Sequence, residues 1–155
     1  MGKNKKIGGF SLIELLIAVG IISILSSLGY ASFNTARMKA KDAKRTADVR
    51  QIEAGLALYF DDNRTYPASL DVLDDSANGG PFLSVVPTPP NGTGETSYRY
   101  ATSPATGAHT NYHIGTTLEG VDNSALINDA DFNSTTGGWL NGFDGASADV
   151  YDVRS

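Results

Sequence analysis

The chain has 155 residues and a formal net charge of −5, which suits one domain of ordinary size and gives no overall electrostatic pull toward nucleic acid. It contains no cysteine, so disulfide frameworks, thiol catalysis and Cys-ligated zinc are excluded together. The first sixty residues carry no proline, whereas the remainder holds all six prolines and is rich in Asn, Thr, Ser and Asp; the two parts differ in kind.

Residues 1–9 form a short basic leader with Lys3, Lys5 and Lys6. From Phe10 to Phe33 the chain is dominated by apolar residues, and roughly 20 such residues cross a bilayer as a helix. Serine returns its hydroxyl bond to a helix backbone, and glycine is tolerated in membrane helices. A secretory signal peptide or a plain anchor is the ordinary reading of such a run. Glu14 argues against both, because a carboxylate at membrane depth is costly and calls for a partner. The candidate partner is an amine created by cleavage between Gly9 and Phe10, one helical turn away. A Glu14 carboxylate pairing with the Phe10 amine of a neighbouring copy removes two exposed charges and fixes the axial stagger between subunits.

Gly8-Gly9-Phe10-Ser11-Leu12-Ile13-Glu14-Leu15-Leu16, behind that basic leader, resembles the prepilin signature of type IV pilins and type II secretion pseudopilins. The resemblance implies cleavage after Gly9 by a prepilin peptidase, N-methylation of Phe10, and Glu14 as the assembly glutamate. It further implies a single-pass protein of the cytoplasmic membrane with its head outside the cytoplasm. Its partners are then copies of itself in a helical filament, the peptidase, an inner-membrane assembly platform with minor pilins, and the lipid bilayer. The filament would be periplasmic or extracellular. The helix-breaking proline usual in the family's apolar segment is missing; Gly20 and Gly29 stand in that neighbourhood. One rule disagrees: Lys and Arg favour the cytoplasmic side, yet Arg37, Lys39, Lys41, Lys44 and Arg45 follow the apolar run.

Residues 34–61 favour helix, with Ala, Lys, Arg, Asp, Glu, Gln and Leu prevailing. Val49, Ile52, Leu56 and Tyr59 or Phe60 recur at helical spacing and give one apolar stripe, expected to pack under a sheet; Gly55 is its weak point. The basic stretch Lys39–Arg45, with Asp42 among it, reads as a solvated helical face. Contact with acidic lipid headgroups or with acidic faces of neighbouring subunits is the functional alternative.

Asp61-Asp62-Asn63 and then Tyr66-Pro67 end the helix, and residues 62–155 form the head. Residues 68–74 suit a short helix or turn. Gly79–Leu83 and Pro87–Gly92 are loop material. Strands are expected at Ser97–Ser103 and Asn111–Leu118, joined by a hairpin over Pro104–Ala108, with a third near Tyr151–Val153. The fold class is therefore α+β, a long N-terminal helix carrying a small antiparallel sheet, as in pilins. Thr65-Tyr66-Pro67, Gly79-Gly80-Pro81-Phe82-Leu83 and the Asn91-Gly92 turn before Tyr98-Arg99-Tyr100 are similar to the major pseudopilin subgroup, which the absence of cysteine also suits. A Pro-Trp-Gly turn usual there is replaced by Pro89-Pro90-Asn91-Gly92.

Asp129-Ala130-Asp131-Phe132-Asn133 is similar to that subgroup's acidic C-terminal stretch, which implies structural calcium. Asp122, Asp129, Asp131 and nearby carbonyls are the candidate ligands. An EF-hand is rejected, since Ser134 stands where that loop needs glycine and Leu140 where it needs a bidentate Glu. Segments after Gly137 have no assignment. His109 and His113, the two histidines, are expected at the surface, and Trp139 as a packing anchor. No catalytic constellation converges in sequence, so an enzyme is not expected. The function implied is a structural filament subunit, a secretion pseudopilin ahead of a type IV pilin for adhesion, motility or DNA uptake; a monomeric membrane-anchored binding domain is the reading from a different class.

Overall fold

The computed structural model describes residues 9–76 and 80–155, with the side chains of Leu28 and Ala31 set aside. The basic part of the leader and Gly79 of the Gly-Gly-Pro segment lie outside the described residues. One helix, α1, spans Leu12–Asn63. The chain divides into two compact units, residues 1–37 and 38–155.

In the first unit the helix is apolar on every side, and its large side chains stand exposed, Leu12 at 87% and Leu16 at 74%. A helix hydrophobic all round has to be covered by lipid or by protein. Ser23 donates its hydroxyl to the Val19 carbonyl and Ser27 to that of Ile24, both at 2.8 Å, so these two hydroxyls are satisfied within the helix. The segment is long and apolar enough to cross a membrane.

In the second unit α1 runs on to Asn63 and turns amphipathic. Its stop is made by Arg64, whose φ of 56° is left-handed, with the Arg64 amide bonded to the Phe60 carbonyl at 2.8 Å. A residue in this conformation just past the last turn is a common helix terminator. A short 3-10 turn follows at Leu70–Leu73.

Three strands make one antiparallel sheet in the order β1-β2-β3: β1 Arg99–Ser103, β2 Asn111–Thr117 and β3 Val150–Arg154. Alternation along the strands gives the sheet two faces. One carries Tyr100, Tyr112, Ile114 and Tyr151, which share a core with Val49, Ile52 and Leu56 of α1. Those three helix residues and Ile114 are wholly buried, worth about 1.5–3 kcal/mol each. A Cβ on Gly55 would lie 2.7 Å from Leu83 Cγ; the position read as a weak point is where Leu83 seats against the helix.

The unassigned C-terminal segments cover the other face. Leu140 bridges Thr102 on the edge of β1 through paired backbone bonds of 2.8 and 3.2 Å. Phe143 lies across Gly115, where a Cβ would come within 2.8 Å of the ring. The central strand β2 is consequently buried on both faces from Tyr112 to Thr116.

Candidate functional site: the N-terminal cap, the buried polar clamps and the acidic loop

Glu14 sits in the first turn of α1. Its Oε2 accepts from the Ser11 amide at 3.3 Å, while Ser11 Oγ accepts from the Ile13 amide at 3.4 Å. Ser11-x-x-Glu14 is therefore a capping pair of the Ser-x-x-Glu kind, a signal present in the sequence beside the assembly reading. The carboxylate satisfies an otherwise orphaned amide one residue from Phe10. A negative charge is also favoured at a helix N-terminus. Gly9 and Phe10 are exposed and precede the helix.

The basic stretch expected as a solvated face is divided: Lys39, Ala40, Ala43 and Lys44 are exposed, but Asp42 and Arg45 turn inward. Arg45 is wholly buried and Asp42 nearly so. Arg45 Nη1 donates to Asp42 Oδ1 at 2.7 Å; Nη2 donates to the Pro90 carbonyl at 2.8 Å and to Glu119 Oε1 at 3.0 Å. Asp42 in turn accepts from the Glu119 and Gly120 amides at 2.9 and 3.0 Å. The pair thus pins two loops to the helix, and its charges are compensated several times over, the condition under which burial is tolerated. Lys41 pairs with Glu119 at 3.2 Å and Lys44 pairs with Asp48. Three of the five cations set against a cytoplasmic N-terminus are thereby neutralised within the head. Asp48 also accepts from the Tyr98 hydroxyl at 2.6 Å, and burial, then Asp48, holds that phenol well above its ordinary range.

His113 is wholly buried, contrary to the surface position expected for it, because Gly115 and the returning segment 129–145 roof that face of the sheet. Its Nε2 lies 2.7 Å from Asp152 Oδ2, and its Nδ1 lies 2.8 Å from Ser134 Oγ. Its ring stacks on Phe143 with centroids 3.9 Å apart. Trp139 meets the ring edge-on at 6.2 Å, the anchoring role expected of it. His109 is only half-buried, with Nδ1 2.7 Å from the Pro104 carbonyl. Ser134, His113 and Asp152 have the order of a hydrolytic relay. However, the Ser134 hydroxyl accepts from the Phe143 amide at 2.9 Å, donates to its carbonyl at 3.1 Å and is buried with the rest. The arrangement is a pin holding the loop. Asp152 completes it, accepting from the Asp131 and Phe132 amides at 2.9 and 3.0 Å.

The candidate metal residues diverge. Among the described residues no three His, Asp or Glu side chains gather as metal ligands. Asp122 and Asp131 are exposed. Asp129 differs: both its carboxylate oxygens are buried without a hydrogen-bond partner. Burial first, then the charges of Asp152 and Asp131, raise its pKa. Two orphaned carboxylate oxygens beside acidic neighbours fit a hard cation.

Residues 4–30 match the family model described as the prokaryotic N-terminal methylation motif. The chain is 28% identical to the type II secretion system core protein G of Pseudomonas aeruginosa over 143 residues, covering 83% of this chain and 99% of that protein. It is 30% identical to the protein of that name from Aeromonas hydrophila over 76 residues, 49% of this chain and 53% of the relative. For that from Vibrio cholerae the identity is 33% over 69 residues, 44% and 47% of the two chains. The chain thus spans about half the length of the Aeromonas and Vibrio relatives and nearly all of the Pseudomonas one. No solved structure matches it.

A methylation-type N-terminus on an exposed apolar helix, continued into an amphipathic half under a three-stranded sheet, is the pilin-like α+β architecture, with a first segment long and apolar enough to cross a membrane. The chain carries the N-terminal methylation motif and is similar along most of its length to a type II secretion system core protein G.

Proposed function

We propose that this chain is a structural subunit of a type IV pilus-like filament, the major pseudopilin of a type II protein secretion system. It polymerises through residues 10–33 after a prepilin peptidase cuts between Gly9 and Phe10 and methylates the Phe10 amine. Before assembly it is a single-pass membrane protein with its head outside the cytoplasm. In the filament the exposed apolar sides of the helix are covered by other copies, which is favourable in place of lipid only if the packing is close. The observation that carries this reading is Glu14, an acidic side chain in the first turn of a helical segment, up to Phe33, whose large apolar side chains are exposed.

Two roles for Glu14 are separable. Glutamine also serves in a Ser-x-x-Gln capping pair but carries no charge. Glu14→Gln is expected to insert normally and to stop filament formation, with sheared-filament yield as the readout. Wild-type yield would confine Glu14 to capping and sink the pairing with a neighbour's amine.

Calcium is proposed as a structural ion of the acidic loop, with Asp129 as its main carboxylate and Asp131, Asp122 and loop carbonyls as further oxygen donors. It would supply charge compensation that the protein does not give Asp129. Adding calcium is expected to raise the melting temperature of the wild-type protein and to leave that of Asp129→Asn unchanged. Equal behaviour of the two proteins would remove the ion from the account.

A further inference from the structure

The exposed charges of the second unit are unevenly paired. Asp61 and Asp62, at the end of α1, border a shallow depression of 320 Å³ lined by Leu58, Asp61, Asp62, Gly80, Pro81 and Phe82. Leu58 is 56% exposed there. Arg64 approaches Asp61 at 3.7 Å with both side chains more than three-quarters exposed, a contact of little worth. Asp62 forms no ion pair among the described residues. The depression therefore offers an apolar floor with two carboxylates at its rim.

Exposed cations in the same condition stand earlier on that helix, within the second unit. Lys41, Lys44 and Arg45 are engaged within the head, but Lys39 and Arg50 are exposed and form no ion pair among the described residues. They are eleven residues apart, about three turns, so both project from one face. Ala43 and Ala47 lie between them on that face and are exposed. Long cationic side chains with aliphatic stems, set on a face otherwise made of small residues, suit an apolar floor with an acidic rim.

We propose that the depression at Leu58, Asp61, Asp62 and Phe82 receives the Lys39–Arg50 helix face of a second copy, displaced along the filament axis. The proposal rests on the filament reading above and adds a contact between heads to the one made by the apolar helices. The contact is heterologous, one patch meeting a different patch, and such contacts build open filaments. It also gives Lys39 and Arg50 a destination other than anionic lipid headgroups.

The test is a charge reversal and its rescue in the full-length chain, expressed with its peptidase and assembly machinery. Asp61→Lys with Asp62→Lys is expected to lower filament yield by about tenfold or more, since like charges facing across an interface are strongly unfavourable. Lys39→Glu with Arg50→Glu is expected to do the same. Combining all four reversals is expected to restore assembly. All four side chains are exposed, and the cellular level of unassembled subunit monitors folding. Because the chain has no cysteine, Asp62→Cys combined with Arg50→Cys gives a second readout, a ladder of oxidised oligomers in filaments. Normal yield for either reversed pair, or loss that the fourfold variant does not rescue, overturns the proposal; the unrescued case with the defect confined to Lys39 and Arg50 assigns them to lipid. A failure of the filament reading itself is distinguished by the unmutated chain, which would then form no filaments with its peptidase and assembly machinery present.

Discussion

The two faces of the sheet are built on different principles. Toward α1, Tyr100, Tyr112, Ile114 and Tyr151 meet the Val49, Ile52, Leu56 stripe in an apolar core. Toward the C-terminal segments, His113, Asp152 and Ser134 are held by specific hydrogen bonds around the Phe143 ring. The first face depends on area removed from water and tolerates changes of shape. The second depends on a fully satisfied polar network, where each member is needed because an unpaired buried group is expensive. A chain without disulfides thus keeps a loop rich in Gly, Asn and Ser in place by bonding it to one aspartate.

The sharpest way to break that contrast is Asp152→Ala. It removes the acceptor of His113 and of two loop amides, and is expected to destabilise by about 3–5 kcal/mol, the scale for stripping a partner from a buried charged group. Ile52→Ala on the helix face is expected to cost a similar about 2–5 kcal/mol through lost transfer energy and a cavity. The two differ in where the damage appears. Amide exchange at residues 129–145 and the emission of Trp139, the single tryptophan, should change selectively for Asp152→Ala. Equal loosening of both faces in both variants would contradict the division.

Gly115→Ala is a smaller perturbation. The added methyl group meets the Phe143 ring at 2.8 Å and is expected to destabilise by about 1–3 kcal/mol as an overpacking change, with near-ultraviolet dichroism reporting the displaced aromatic cluster.

Asp129 gives the smallest effect and a pH signature. Its pKa is raised above 3.8 in the fold, mainly by burial, so the folded chain holds this proton more tightly than the unfolded one. Its contribution is fully present below the unfolded value and is lost as pH rises through the raised folded value. Asp129→Asn should therefore melt higher than wild type near neutral pH in chelator, and the difference should vanish in acid. A difference independent of pH would reject a charged, uncompensated Asp129.

What could be read from the sequence follows this same division. The 3.6-residue stripe announced the core side of α1, and alternation announced the first two strands, because both patterns are local. The pairing of His113 with Asp152 spans 39 residues and leaves no periodic trace. Neither does the covering of β2 by Trp139 and Phe143, so His113 was expected outside. Arg45 misled for another reason. A run of bases ordinarily faces water, and only the carbonyl of Pro90 and the loop amides that Asp42 accepts make its burial acceptable. The Ser11-x-x-Glu14 cap was visible in the sequence but was overshadowed by the case for assembly.

The most direct test is the intact mass of the full-length chain after co-expression with a prepilin peptidase. A product lighter by residues 1–9 and heavier by one methyl group, beginning at Phe10, is the expected result. A chain that keeps its leader in the presence of active peptidase would leave Glu14 without the terminal amine on which the assembly account depends.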